Sequence, residues 1–294
     1  MSAQALMILN LSDESFSDGG QLSSGHLFAK RLQELKKLGL FAYDIGAQST
    51  APNRTRLINA QEESRRFLSV FEQALGLSNE SGENLWTGVR FLSLDTFRPT
   101  TFIKMFKWLR ANGYKGPIAF NDVSGCYSDG VSEVVDTLGE KFFYVLCHNR
   151  VPSREETPLH MNYKRPCHSV DILDEVQLFF HEGTKFLQNF LPQAQLIFDP
   201  CLGFAKSYQE NWTILNNIER LQGSASLLLG ISRKSFLRQK VRETIPGISE
   251  IEAMGLSEFY HYEFIRKWKT EFQGNLWVRL HDPHLGLLAL GRSH

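Results

Sequence analysis

No apolar stretch in the chain approaches the ~20 consecutive residues that a membrane-spanning helix needs, so no membrane association is expected. The first residues show no basic segment followed by an apolar one. A secretion signal is therefore not expected, and a cytoplasmic setting is. Neither sign of charge is in excess: 32 Lys+Arg stand against 32 Asp+Glu, so no global basic footprint argues for nucleic acid. Cysteine is scarce. Cys126, Cys147, Cys167 and Cys201 are far apart and form no CxxC pair, so reduced thiols are expected. Low-complexity linkers and repeats of about 20–50 residues are also missing, and residues 1–294 read as one domain.

What is present is a rhythm. Short apolar runs occupy 7–9, 41–43, 91–94, 117–120, 142–146, 196–198, 227–229 and 276–278. Each is closed by polar residues: Asn10; Asp44; Asp95; Asn121 and Asp122; His148; Asp199; Ser232, Arg233 and Lys234; and Arg279, His281 and Asp282. Helix-length amphipathic stretches lie between most of them. Short buried strands alternating with helices mean a parallel sheet covered on both faces. Eight such units predict an α/β fold of the closed (β/α)8 or TIM barrel type, for which about 250 residues is usual. There the C-terminal ends of the strands build one mouth, so the polar closers are expected to converge.

The first helix is expected to start at Ser23 or Ser24, either of which can cap it. Leu27, Phe28, Leu32, Leu35 and Leu38 follow at helical spacing, and Gly39 is its stop. A second helix is expected over 57–75, with the Gly/Ser/Asn-rich 76–88 as loop. Pro99 suits the first turn of a third, which turns Phe102, Met105, Phe106 and Leu109 inward and stops near Asn112 and Gly113. Residues 149–169 hold three prolines and few apolar side chains and read as a long loop, either functional or mobile. Further helices are expected over 171–191, from Asn211 and Trp212 to Leu221, and over 251–272, with about two or three turns after Asp282.

Asn10, Asp95, Asn121, Asp199, Lys234, Arg279 and His281 form the candidate chemical set. Asp and Asn carry acceptors and donors that suit the amidine-like edge of a flat heterocycle. Arg279 and His281 are two apart on a strand and face the same side, and a guanidinium fork matches phosphate oxygens. These residues suggest a heterocycle deep in the mouth and a phosphate at its rim. Any one of them alone reads equally well as a turn or helix cap; seven together favour a site. Three other patterns read as structural. His281 and His284 lack two further zinc ligands. Cys147 and His148, adjacent on a strand, point to opposite faces. Lys104, Lys107, Arg110 and Lys115 form a solvated helix face.

Taken in order, the blocks resemble the dihydropteroate synthase family of folate biosynthesis along nearly the whole chain. Residues 7–20, ending Ser15-Phe16-Ser17-Asp18-Gly19-Gly20, resemble its first signature, and Asp44-Ile45-Gly46-Ala47-Gln48-Ser49-Thr50 its second. Asp95-Thr96, Asn121-Asp122-Val123-Ser124-Gly125, Asp199-Pro200 with Gly203-Phe204, Ser232-Arg233-Lys234-Ser235 and Arg279-Leu280-His281-Asp282 match later blocks. The resemblance implies a transferase that joins p-aminobenzoate to 6-hydroxymethyl-7,8-dihydropterin pyrophosphate and releases pyrophosphate with Mg²⁺. It implies a dissociative route in which the arylamine traps a pterin-methyl cation. Asp95, Asn121, Asp199, Phe204, Gly230 and Lys234 would surround the pterin, Asp199 also stabilising the developing cation. Asn10, Thr50, Arg279 and His281 would hold the pyrophosphate, with Asn10 also at the metal. Phe16, Pro52, Lys234 and Ser235 would line the p-aminobenzoate site. Asp199, Lys234, Arg279 and His281 are the implied catalytic set, and a homodimer through the last helices is implied as well.

Departures from the family concentrate in the substrate loops. Ala51 stands where the family has an arginine that helps hold pyrophosphate, a charge-assisted contact worth about 1.5–3 kcal/mol. Arg54 or Arg56 is the candidate substitute. Ser12-Asp13-Glu14 replaces Thr-Pro-Asp beside an anionic substrate. Cys147 takes the place of a methionine, and Cys201 and Ala205 that of glycines. Two alternatives stay open: a pterin-binding paralogue without synthase activity, serving as carrier or regulator, and a methyltransferase using a folate methyl donor.

Overall fold

The computed structural model describes residues 3–11, 24–48, 58–80, 82, 84–164, 171–221, 223 and 225–291. Eight parallel strands close on themselves in chain order: β1 (Gln4–Asn10), β2 (Ala42–Gly46), β3 (Phe91–Asp95), β4 (Ile118–Asp122), β5 (Phe143–Cys147), β6 (Leu196–Asp199), β7 (Ser226–Leu229) and β8 (Leu276–Leu280). The ring is completed by β8 on β1, with Ala5 opposite Val278 and Met7 opposite Leu280. The helices are α1 (Gly25–Lys37), α2 (Ala60–Glu80), α3 (Pro99–Ala111), α4 (Val131–Leu138), α5 (Ile172–Leu187), α6 (Tyr208–Asn216), α7 (Ser235–Thr244), α8 (Glu250–Glu271) and α9 (Pro283–Ala289). The expected single (β/α)8 barrel is the fold. Among the described residues no helix is long and apolar enough to cross a membrane.

The period of two along each strand sorts side chains into two cores. Tyr43, Ile45, Leu92, Leu94, Phe120, Tyr144, Leu146 and Leu229 belong to the large core between sheet and helices. Leu6, Ala42, Phe91, Ala119, Val145, Ile197 and Leu228 fill the barrel itself. At the N-terminal ends of the strands an aromatic floor closes the interior, with the Phe91 ring 4.7 Å from Trp277 and 5.7 Å from Phe143. The polar inward positions all lie above that floor.

Helix ends follow their capping chemistry. Ser24 Oγ accepts from Leu27 N, and Gly39 takes the left-handed conformation that ends α1. Phe28, Leu32 and Leu35 are buried as expected, but Leu27 and Leu38 flank the stripe and are exposed. Asn59 caps α2 through Glu62 N, so this helix starts at 60 rather than 57 and runs to 80 through the stretch expected as loop. Once a helix is nucleated, each Gly, Ser or Asn added at its end costs only about 0.5–1 kcal/mol. Pro99 opens α3 as expected. α6 stops at Asn216, and the turn up to Leu221 is a separate 3-10 helix, Ile218–Leu221, after a break at Asn217. α7 adds a helix to those expected and buries Phe236, Leu237 and Val241. The 149–169 stretch is not all irregular: it contains a 3-10 helix, Thr157–Tyr163.

Candidate active site

Arg279 organises one side of the mouth. It projects from β8 into the barrel, its Nε donating to Asp44 Oδ2 and its Nη2 to Asp95 Oδ2. Gly46 lies beside Asp95, where a Cβ would come within 3.3 Å of the Asp95 Cβ. Asn121 Nδ2 donates to the remaining Asp44 oxygen at 3.2 Å, and Asn121 Oδ1 accepts from Cys147 Sγ at 3.5 Å. One bonded path therefore crosses from β8 through β2 and β4 to β5. Burial, reinforced by Asp44 and Glu63, holds the Asp95 carboxyl above the usual carboxylate range, with Arg279 opposing it. The two carboxylates in turn hold Arg279 firmly cationic against burial.

Asp199 organises the other side. It ends β6, where its Oδ1 accepts from Cys201 N at 2.7 Å. Burial raises its carboxyl, while the Cys201 N–H and the charges of Lys234, Arg279 and Lys206 pull it down. The following turn is left-handed at two side-chain-bearing residues, Cys201 (φ 49) and Ala205 (φ 48), at a cost of roughly 1–2 kcal/mol each. The glycine-like backbone survives where the residues are not glycine. Lys206, absent from the expected set, holds it there: its buried Nζ donates to the carbonyls of His148 (2.8 Å), Cys201 (3.1 Å) and Phe204 (3.2 Å). Burial lowers this amine to about 8.

Phe204 is stacked on His160 at 4.3 Å, and Lys234 Nζ rests 4.6 Å from its ring centre. Gly203, at φ +83, leaves room for the Lys234 stem, since a Cβ there would lie 3.2 Å from Lys234 Cδ. Gly230 sits at ordinary contact distance from Arg279, 3.5 Å from a built Cβ to Arg279 Cδ. His281 lies at the rim, its Nδ1 3.0 Å from Ser232 Oγ. Burial, with Arg233, Arg279, His261 and Lys234 nearby, keeps this imidazole neutral at pH 7. Ser235 is exposed at the start of α7. Asp95, Asn121, Asp199, Phe204, Gly230, Lys234, Arg279 and His281 thus share one mouth. Phe16, Thr50 and Pro52 lie outside the described residues, as do Asp13, Glu14, Ala51, Arg54 and Arg56. The flanks of that second loop are described, and Arg98 joins them: it donates to Gln48 Oε1 (2.8 Å) and Ile58 O (2.5 Å) and pairs with buried Glu63.

Three of the polar closers expected in the mouth are engaged elsewhere: Asp282 caps α9 by accepting from His284 N at 2.8 Å, and Asp122 and His148 point away because neighbouring strand residues alternate faces. Asp122 is buried behind the sheet, where it accepts from Tyr144 Oη at 2.6 Å and pairs with Arg154 at 2.8 Å. Arg154 also reaches the carbonyls of Phe97 and Cys126, so it pins the start of the 149–169 stretch. His148 turns outward to Glu175 at 3.3 Å, beside Arg150, which bridges Glu175 and Glu210. Asp44 went unassigned in the candidate set, although a charge closing an apolar run was its signal.

Asn10, half-buried at the end of β1 opposite Gly46, carries one hard carboxamide oxygen, and the period of the strand puts it on the same side as Leu6, inside the barrel. A single such ligand fits Mg²⁺, which keeps several waters and takes phosphate oxygens. Among the described residues, the one group of three His, Cys, Asp or Glu side chains at chelating separations is Cys147, Asp199 and Cys201, a softer set.

Comparison with known proteins converges on one family. The family model described as pterin binding enzyme matches residues 6–258. The dihydropteroate synthase of Mycobacterium leprae (strain TN) is 31% identical over 237 residues, covering 80% of this chain and 74% of that protein. A mitochondrial folate synthesis bifunctional protein of Arabidopsis thaliana is 30% identical over 242 residues, covering 78% of this chain and 40% of its own length. The chain spans less than half the length of the plant bifunctional relatives it matches. The structure of Xanthomonas albilineans dihydropteroate synthase with 4-aminobenzoic acid superposes with a TM-score of 0.71, at 25% identity, over 99% of this chain and 91% of that one. The chain belongs to the pterin binding enzymes.

Proposed function

We propose that this protein is a dihydropteroate synthase, condensing 6-hydroxymethyl-7,8-dihydropterin pyrophosphate with p-aminobenzoate and releasing pyrophosphate. The observation that carries this reading is the convergence of Asp95, Asn121, Asp199, Lys234 and Arg279 on one mouth, joined by Asp44. Relatives and structural neighbours bearing that name agree with it.

In this reading the buried carboxylates and Asn121 present acceptors and donors to the pterin edge. Asp199, held by the Cys201 N–H, places a preorganised negative charge where the pterin-methyl cation develops. Lys234 lays its stem along Gly203 and Phe204 and brings its ammonium to the pterin. Arg279, from within the barrel, and His281, from the rim, face the pyrophosphate. Asn10 would give one oxygen to Mg²⁺, which when bound supplies positive charge to the leaving group. Phe16, Pro52, Thr50 and Ser235 complete the p-aminobenzoate and pyrophosphate sites from the loops. A homodimer through α8 belongs to the proposal, supported by the exposed Ile251, Leu256 and Phe259. So does a cytoplasmic setting, supported by the free thiols of Cys126, Cys147 and Cys201.

The test is dihydropteroate formation from the two substrates with Mg²⁺, alongside Asp199→Asn and Lys234→Ala. Product from the wild type, reduced about 10²–10³-fold in Asp199→Asn, is expected. Pterin pyrophosphate that binds by calorimetry without turnover would overturn the synthase in favour of a non-catalytic pterin binder.

A further inference from the structure

Two departures from the family pattern meet in space. Cys147 closes β5 and Cys201 lies two residues beyond the end of β6, and their sulfurs and an Asp199 oxygen are mutually within 4.8 Å. Cys147 and Asp199 are register partners on adjacent strands, so the sheet fixes their separation. Cys201 is placed by its own backbone: its N–H is on Asp199 and its carbonyl on Lys206. All three side chains are buried among barrel-interior residues, and both thiols are free. Cys201 keeps a side chain at φ 49, where glycine would be unstrained.

The geometry points to a binding site for a thiophilic divalent cation of the zinc class on Cys147 Sγ, Cys201 Sγ and an Asp199 carboxylate oxygen. Tetrahedral zinc with Zn–S of about 2.3 Å sets its two sulfurs about 3.8 Å apart, inside the observed limit. Uptake displaces two thiol protons. The two thiolates and the carboxylate outweigh the dication by one negative charge, which Lys206, Lys234 and Arg279 around Asp199 accommodate. Three protein ligands leave the fourth position open. Asn121 Oδ1, 3.5 Å from Cys147 Sγ, borders it. The cation occupies Asp199, so it excludes the pterin; this consequence rests on the proposed pterin site, whereas the metal site does not.

The experiment titrates the reduced full-length protein with cadmium alone, reading bound metal by equilibrium dialysis and thiolate-to-metal charge transfer in the ultraviolet. One equivalent with a two-thiolate band is expected, unchanged in Cys126→Ser. Cys201→Gly relieves a left-handed backbone and is expected to fold; it should lose at least tenfold in affinity and half of the band. Cys147→Ala provides the second deletion. Wild-type affinity and band in Cys201→Gly overturn the site, whatever the synthase assay shows. Where turnover is measurable, one equivalent of cadmium should abolish it in the wild type while Cys201→Gly retains its own activity with and without the metal. Cadmium bound at the trio with turnover intact overturns the exclusion of pterin and leaves the metal site standing.

Discussion

The two sides of the barrel mouth handle charge differently. On the β2, β3 and β8 side, Asp44 and Asp95 share one guanidinium, so each carboxylate meets a cation within the protein. On the β5, β6 and β7 side, Asp199 has one backbone N–H and no cation in salt-bridge contact among the described residues. There Lys206 is spent on carbonyls and Lys234 rests on a phenyl ring. The first side is paired within the protein before any ligand arrives, and it meets substrate as a preformed unit. The second keeps its anion and its amine unpaired with each other, which is how groups are arranged when the partner charge arrives with a substrate. The contrast separates residues whose loss should cost the fold from residues whose loss should cost turnover.

Removing the shared cation is expected to have the largest effect. Arg279→Ala leaves buried Asp44 and half-buried Asp95 without their cation and should destabilise by about 3–5 kcal/mol, measured by denaturant unfolding at neutral pH. Burial makes the Asp95 carboxyl easier to protonate, so the deficit should shrink as pH falls. A deficit that is small at pH 7 would show that the first side is not a preformed unit.

Next comes the outward support of β5. Burial lowers His148 to about 4, with Lys206 adding to the effect and Glu175 opposing it. The unfolded chain has a value near 6.5. Below that value the unfolded state binds the extra proton, so this contribution is complete above about pH 6.5 and is lost as pH falls toward 4. It amounts to roughly 3 kcal/mol at most. Unfolding midpoints across this window should fall in the wild type and flatten in His148→Gln; parallel curves would remove His148 from the account.

The smallest effect on stability sharpens the second side. Gly203→Ala forces a side chain into φ +83 and against the Lys234 stem at 3.2 Å, costing about 1 kcal/mol of stability. Because Lys234 must shift, turnover should fall about tenfold more than stability accounts for. Equal, modest losses in both would mean that the position of Lys234 does not matter.

How much of this was legible in the chain depended on range. Strand ends were visible because each apolar run stops at a polar residue, and the caps at Ser24, Pro99 and Gly39 are local chemistry. The extension of α2 to Glu80 was not visible, because its Gly, Ser and Asn content reads as loop. The 3-10 helix at Thr157–Tyr163 was hidden by Pro158 and by sparse apolar residues. Asp95, Asn121, Asp199, Lys234 and Arg279 could be nominated from position alone. Asp44 carries the same positional signal, but its role as a partner of Arg279, 235 residues away, is legible only in the fold. The meeting of Cys147 and Cys201 needed the β5–β6 register, and the role of Lys206 needed the distant His148 carbonyl beside two local ones.

Arg279 also sets an order of events. The carboxylates it pairs with lie 235 and 184 residues earlier, on strands that leave the ribosome long before β8 does. Until β8 has been made, β2 and β3 hold acids with no counter-charge, and β1 has an open edge awaiting its last partner. Closure of the sheet and the arrival of the cation for its interior are therefore one step, supplied by the same five-residue strand, the last of the eight to be made. A nascent chain lacking β8 has reason to stay open, and one that has it gains the ring and the cation together.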